Sequence, residues 1–369
     1  MPGIIQLAPL SAHPTLAQMK RGRNIRTMGF GEMYRQPIAK GNFAVLAFNI
    51  RNFPLKPAEG WEAGYIGPST VTPVLRAARD LEAPVLLEIA DSELGKEGSP
   101  YTGVLSRHGF SAEGIQAGLE DFVQHIFAVY ESLDMAGIPI AIHYDHGARK
   151  NILEAGVQAG FTSAAFDGGK MKDWEQLTGT ARDWVNYAHP KGVGIEGEIE
   201  LVDVAEPTDP AKAIRFAKET GVDVLVVTLS KNVHGALPGS SVMEEDRLFA
   251  VRNALPEMPV NLHGGSGFAL HDLARTSLKG GFQKLNYATV LYEAMIKAVP
   301  GWQQVLNMAT GNEQGTRPKV GRKKLAVIDE MLRWMDETSV KAAEEAAYQK
   351  AVDVMRAVGN VNTAQYYSG

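Results

Sequence analysis

From Asn42 onward the chain alternates between short unbroken apolar runs and longer stretches whose apolar residues recur every three or four positions. An unbroken run of a few residues marks a strand covered on both faces, whereas the wider spacing marks a helix with one buried side. The pattern predicts strands near Phe43–Ile50, Pro84–Ala90, Pro139–Tyr144, Thr162–Phe166, Gly192–Glu198, Val222–Leu229, Pro259–His263 and Phe282–Asn286. Between and after them it predicts helices over Thr72–Leu81, Ala112–Met135, Ala148–Ala159, Asp173–Tyr187, Pro210–Thr220, Glu244–Ala254, His271–Leu278 and Val290–Ala298. The first of these helices opens on Thr72-Pro73, read as an N-cap followed by proline at the first helical position.

Eight strands, each followed by a helix, is the count of an α/β fold of the (β/α)8 TIM barrel type. The 369 residues accommodate one such barrel as a single domain over 1–369, with its core at about 42–300. One helix, Leu10–Arg21, is expected ahead of the core. A C-terminal helical extension over about 301–369 is expected to carry helices at Lys323–Thr338 and Lys341–Val358. No repeat beyond the strand–helix period and no low-complexity segment is present.

Composition narrows the chemistry. A hydrophobic content of 45% supplies a large core, yet no run reaches membrane-spanning length, and the first ten residues do not read as a signal peptide. A net charge of -5 gives no electrostatic footprint for nucleic acid. The expectation is a cytoplasmic protein with neither a membrane nor a nucleic-acid partner. Without cysteine there is no disulfide and no thiolate, so any bound metal must be held by nitrogen and oxygen.

Three histidines then stand out, each near the end of an apolar run and each followed by glycine: His146, His234 and His263. Imidazole suits zinc or a similar divalent ion, and three protein ligands leave a coordination position for chemistry. All three fall at or just beyond the C-terminal ends of predicted strands, the face of a barrel where active sites form.

Their surroundings add carboxylates. Asp145 shares a strand face with His143 and reads either as a carboxylate working beside a metal or as a cap for the helix at Ala148. Asp167, in Phe166-Asp167-Gly168, reads as a metal-side group or a turn former. Glu196, Glu198 and Glu200 alternate on one face, which is costly inside a barrel unless a cation compensates. The Gly264-Gly265-Ser266-Gly267 turn and the Asn286-Tyr287-Ala288-Thr289 segment follow strands seven and eight, where TIM barrels bind phosphate. Lys284 either adds charge there or lies under the helix layer. Metal, carboxylates and a phosphate site in one mouth suit enolate formation from a phosphorylated ketone.

In their order, Ala47-Phe48-Asn49, His143-Tyr144-Asp145-His146-Gly147, Phe166-Asp167-Gly168, Glu196-Gly197-Glu198, Val233-His234-Gly235, Leu262-His263-Gly264-Gly265-Ser266-Gly267 and Lys284-Leu285-Asn286-Tyr287-Ala288-Thr289 resemble the class II, metal-dependent ketose-bisphosphate aldolases. The resemblance runs from about Phe43 to Thr289. It implies a lyase of carbohydrate metabolism that cleaves a ketose 1-phosphate or 1,6-bisphosphate reversibly to dihydroxyacetone phosphate and an aldehyde, through an enediolate stabilised by zinc. It implies one catalytic Zn2+ on His146, His234 and His263, with Glu198 and Asp167 at an alternative metal position. It assigns Asp145 as the acid toward the aldehyde oxygen and Asn49 and Asn286 to substrate contact. Gly235, Gly264, Ser266 and Thr289 would hold the phosphate beside a monovalent cation, Na+ or K+. A homodimer or homotetramer is the common assembly.

The chain departs from the family where the paired glycines after strand five are missing. Glu206 stands at the spacing of the proton-transferring glutamate and is assigned as base, with Glu200 or Asp203 as fallbacks. Ala288 matches tagatose-type members and Ala90 replaces a serine. The basic segment from Arg317 to Lys324 is read either as a hold on a distal phosphate or as a solvated turn. Two other classes stay open: a metal-dependent hydrolase or epimerase of a phosphosugar, and a non-catalytic partner of an aldolase.

Overall fold

The computed structural model describes residues 6–50, 52–54, 66–95, 97, 105, 108–199, 207–229, 239–299, 301 and 336–367. Eight parallel strands form the barrel: β1 (Val45–Asn49), β2 (Val85–Ala90), β3 (Ile140–Gly147), β4 (Ser163–Asp167), β5 (Gly194–Glu198), β6 (Val224–Val227), β7 (Val260–Leu262) and β8 (Lys284–Tyr287). Each pairs with its sequence neighbours, and β1 closes the ring between β8 and β2. The (β/α)8 expectation is met, every predicted strand lying within a few residues of an observed one.

Helices α1 (Phe30–Lys40), α2 (Val71–Asp80), α3 (Ala112–Ser132), α4 (Lys150–Gln158), α5 (Trp174–Ala188), α6 (Pro210–Thr220), α7 (Glu245–Ala254), α8 (Leu270–Leu278), α9 (Thr289–Ala298) and α10 (Glu337–Ala357) accompany the strands. Outward strand residues such as Leu46, Phe48, Leu87, Ile142 and Leu285 pack under the helix layer as one continuous core. Alternation turns their neighbours inward. Near the barrel floor those inward residues are Val45, Ala47, Leu86, Ala141 and Val224.

That floor is closed by α1, which the strand–helix period did not predict. Its apolar residues Phe30, Met33, Tyr34 and Pro37 fall at helical spacing and are buried, but Pro37 inside the run masks the signal. Phe30 comes so close to β5 that a β-carbon at Gly194 would lie 2.7 Å from it. The C-terminal tail ties α1 down, with the Tyr367 hydroxyl donating to the Met33 carbonyl at 2.7 Å.

Three differences from expectation have a local cause. Leu10–Arg21 is not one helix but a turn at Leu10–Ala12 and a short helix at Leu16–Met19. Pro14 forces His13 into an extended conformation, and the His13 ring then accepts from Leu16 N at 3.1 Å. Helix α2 starts at Val71 rather than after Thr72, with Ser69 Oγ accepting from Val71 N at 3.0 Å. The last helix begins at Glu337, Asp336 capping it through Ser339 N, so the expected end at Thr338 falls inside α10. The remainder of Lys323–Thr338 lies outside the described residues. Helix α10 packs on α9 and α2. No described helix is long and apolar enough to cross a membrane.

One surface bridge holds α7 to α8. Glu245 accepts from Arg275 Nε, Thr276 Oγ1 and Lys279 Nζ at 2.9, 2.7 and 2.9 Å. Its carboxyl is held down to about 2, chiefly by the Lys279 and Thr276 hydrogen bonds. A carboxyl depressed in the folded state contributes stability above its unfolded value near 4.5, and that contribution fades as pH falls through 2. With solvent screening, Glu245→Gln is expected to cost about 1 kcal/mol at pH 7. The difference should vanish at pH 2. Urea unfolding at the two pH values checks this, and an equal cost at both would refute it.

Candidate active site

A bulge on β3 sets the site's geometry. His143 pairs with Ser163 and Tyr144 with Ala164, but the next pair is Gly147 with Phe166, so three steps on β3 span two on β4. His146 sits in the extra residue with φ of +48°, a left-handed conformation costing a side-chain-bearing residue about 1–2 kcal/mol. Strict alternation would send Asp145 inward and His146 into the helix layer. The bulge turns both into the barrel mouth, where the His146 ring meets the His263 ring edge-on at 4.9 Å between centroids.

His146 and His263 converge on Glu198. Glu198 Oε2 is 3.1 Å from His146 Nδ1, and Glu198 Oε1 is 3.5 Å from His263 Nδ1. Neither Glu198 oxygen nor His263 Nδ1 makes a hydrogen bond, although all three atoms are buried. Buried polar atoms that crowd together without bonding to one another carry an unmet electrostatic cost. A cation between them removes it, and two imidazoles with a carboxylate form a nitrogen and oxygen donor set suited to a divalent transition ion. Asp167 stands at the edge of the group. Its Oδ2 is 3.6 Å from His146 Nδ1, while its Oδ1 accepts from Gly169 N at 2.9 Å, the contact of a turn former.

The charge balance points the same way. Among the described residues, the buried charged side chains are the carboxylates of Glu88, Asp145, Glu196 and Glu198 and the lysine Lys284. Lys284 lies inside the barrel, not under the helix layer, 2.8 Å from Glu196 Oε2 and 3.4 Å from Glu88 Oε2. Burial alone would raise Glu196 and Glu198, but Lys284 holds Glu196 down to about 2, and His263 and His146 hold Glu198 down to about 2. Burial and the Asp145 charge push Glu88 up to about 8, so it keeps its proton at neutral pH. The remaining negative charge requires an ion at the histidines or protons on them. Burial opposes protonation of His263, yet Glu198 and Glu196 push its pKa up to about 9.

Asp145 is held from both sides. Asn49 Nδ2 donates to Oδ2 at 2.9 Å and Asn286 Nδ2 to Oδ1 at 3.3 Å. Burial would raise the Asp145 carboxyl, but His146, His263 and Lys284 overcome that and keep it well below the usual range. Asp145 caps no helix, since α4 opens at Lys150 with Arg149 as its N-cap. Tyr292 fixes Asn49 in turn, its hydroxyl donating to the Asn49 carbonyl at 2.7 Å.

On the neighbouring rim, His263 runs straight into a turn in which Gly264 takes φ of +70°, reached without strain only by glycine. Ser266 Oγ accepts from Ala288 N at 3.3 Å and Val290 N at 3.4 Å, so its hydroxyl sits at the N-terminus of α9, where Thr289 is the first residue. Helix N-termini of this kind attract anions.

The structure therefore brings together Asn49, Asp145, His146, Asp167, Glu198, His263, Gly264, Ser266, Asn286 and Thr289 at one mouth. His234, Gly235, Glu206, Glu200, Asp203 and the segment from Arg317 to Lys324 lie outside the described residues. Sequence reasoning assigned no role to Asn261 or Glu88. Their positions two residues before His263 and Ala90, on the inward face of each strand, are the signal that marks them.

The family model for fructose-bisphosphate aldolase class-II matches residues 33–363. A fructose-bisphosphate aldolase of Streptococcus pyogenes serotype M3 is 29% identical over 269 residues, covering 70% of this chain and 78% of the relative. One from Geobacillus stearothermophilus is 28% identical over 269 residues, covering 70% and 80%. Among solved structures, the YdjI aldolase from Escherichia coli K12 is similar with a TM-score of 0.61 at 20% identity, over 92% of this chain and 99% of that one. The fructose-bisphosphate aldolase of Campylobacter jejuni gives a TM-score of 0.61 at 19% identity, over 92% and 97%. At these identities the structural likeness speaks for the fold.

Proposed function

Because the chain belongs to the class II fructose-bisphosphate aldolase family and is thereby a lyase, we propose that it cleaves a ketose 1-phosphate or 1,6-bisphosphate to dihydroxyacetone phosphate and an aldehyde. The observation that carries this reading is the convergence of His146, Glu198 and His263, where the buried Glu198 oxygens and His263 Nδ1 lack hydrogen bonds, beside an ionised Asp145. His146 and His263, with His234 or Glu198, would hold one divalent ion. Zinc suits a set dominated by imidazole. When bound, the ion supplies a Lewis acid for the substrate's ketone and hydroxyl oxygens.

Asp145 accepts the proton of the C4 hydroxyl as the C3–C4 bond breaks. Its low basicity keeps it ionised and ready, and the Asn49 and Asn286 amides hold its two oxygens in place. Glu206 returns a proton to the three-carbon fragment, completing dihydroxyacetone phosphate. Ser266, Thr289 and the Gly264 and Gly235 backbone hold the phosphate against the N-terminus of α9, beside a monovalent cation.

The test is metal content together with triose phosphate release across fructose and tagatose mono- and bisphosphates. About one zinc per chain is expected, with release that stops in EDTA and returns when zinc is added. Release in EDTA from metal-free protein would overturn the metal reading. Inorganic phosphate or an inverted sugar without triose would move the protein to the hydrolase or epimerase class.

A further inference from the structure

Asn261 on β7 is wholly buried, two residues before His263 and on the same inward face. Its amide nitrogen lies 2.8 Å from Glu196 Oε1 and 2.9 Å from Asn286 Oδ1. The two N–H bonds are thus divided between acceptors on β5 and β8. Glu196 cannot turn away, because Lys284 anchors its other oxygen at 2.8 Å.

This arrangement dictates how Asn286 is oriented. With its carbonyl oxygen taken by Asn261, Asn286 must aim its amide nitrogen at Asp145 Oδ1. Turned over, it would set a carbonyl oxygen against the Asp145 carboxylate and an N–H against the N–H of Asn261, replacing two attractions with two repulsions. Asn261 does not serve its own stability here, since its carbonyl oxygen is buried with no hydrogen-bond partner. An apolar residue would avoid that cost but would take a donor from Glu196 Oε1 and from Asn286 Oδ1. What Asn261 provides is a pair of donors at one fixed point.

We propose that Asn261 is a positioning residue which fixes the amide orientation of Asn286 and thereby holds Asp145 in its proton-accepting pose. The proposal rests on the aldolase reading only for the role of Asp145. A line of contacts runs from the Lys284–Glu196 pair through Asn261 and Asn286 to Asp145. A second branch leads from Glu196 Oε1 to His263 Nε2 at 3.4 Å, so metal content must be followed alongside the rate.

The experiment is a double-mutant cycle of Asn261→Val and Asn286→Ala. Asn261→Val is expected to lower kcat roughly 30-fold, within the range for partners that orient a working group, with KM within about twofold. Bound metal should match that of the wild-type protein, while the melting temperature falls because Glu196 Oε1 and Asn286 Oδ1 each lose a buried donor. In the Asn286→Ala background the same change should lower kcat less than about twofold, because its route to Asp145 is already cut. An equal loss in both backgrounds, or no loss in either, overturns the proposal. Asn261→Ser, whose single hydroxyl serves one acceptor, replaces the valine variant if that variant does not fold. An Asn261→Val crystal structure at atomic resolution, where amide nitrogen and oxygen are told apart, gives an independent readout. Asn286 still aimed at Asp145 there refutes the positioning role. If the wild-type protein releases no triose, the aldolase reading falls, and this structure alone decides the orientation claim.

Discussion

Replacing His263 with alanine is expected to lower triose phosphate release at least about a thousandfold, near 4 kcal/mol of transition-state stabilisation at 1.36 kcal/mol per tenfold. The reason is geometric. His263 and His146 approach Glu198 from two sides, and removing one imidazole leaves two donors on the bulged rim where three converge. The variant should still fold, because His263 makes no hydrogen bond through Nδ1 and its Nε2 lies 3.4 Å from Glu196. Bound metal should fall in step with the rate. A variant that keeps full activity sinks the proposed centre. One that keeps its metal but loses its rate would recast His263 as a group acting on substrate.

The largest stability effect is expected at Lys284. It is the one buried lysine or arginine among the described residues, facing Glu196 and Glu88 with no solvent to replace it. Lys284→Met leaves Glu196 ionised and unpaired, which costs about 3–5 kcal/mol when one partner of a buried pair is removed. Adding Glu196→Gln should restore most of that loss, because breaking a buried pair is far costlier than replacing it whole. The pair therefore contributes order more than net stability. Unfolding by urea measures both variants. A single variant as stable as the wild-type protein would show that Glu196 had simply taken up a proton.

Much of this architecture was legible because parallel strands covered on both faces read as apolar runs. The same reasoning explains where legibility stopped. Glu88, Asn261 and Lys284 sit inside such runs as isolated polar residues, and nothing local tells whether each faces the helix layer or the barrel. Only the closed ring shows that they face one another. Helix α1 escaped because Pro37 interrupts its period, and its role in plugging the floor is a tertiary fact. The histidines and carboxylates at the mouth were more readily legible, since strand ends in a barrel converge whatever the intervening loops do. The bulge at His146 was not legible. The pairing of β3 with β4 decides it, and that pairing depends on residues twenty positions away.

The bulge also bears on how such a site can change over time. Because Asp145 and His146 are consecutive and both face the mouth, their spacing is set by one peptide unit, not by the packing of two separate elements. Loops at the rim can lengthen, shorten or trade residues to admit a different aldehyde without moving these two groups apart. A single-residue deletion within β3 is another matter. It would restore the regular pleat and rotate His146 into the helix layer, leaving a sound barrel with Asp145 still in the mouth and the proposed metal donor gone. New substrates are therefore reached by drift at the rim, whereas loss of the chemistry is one codon away.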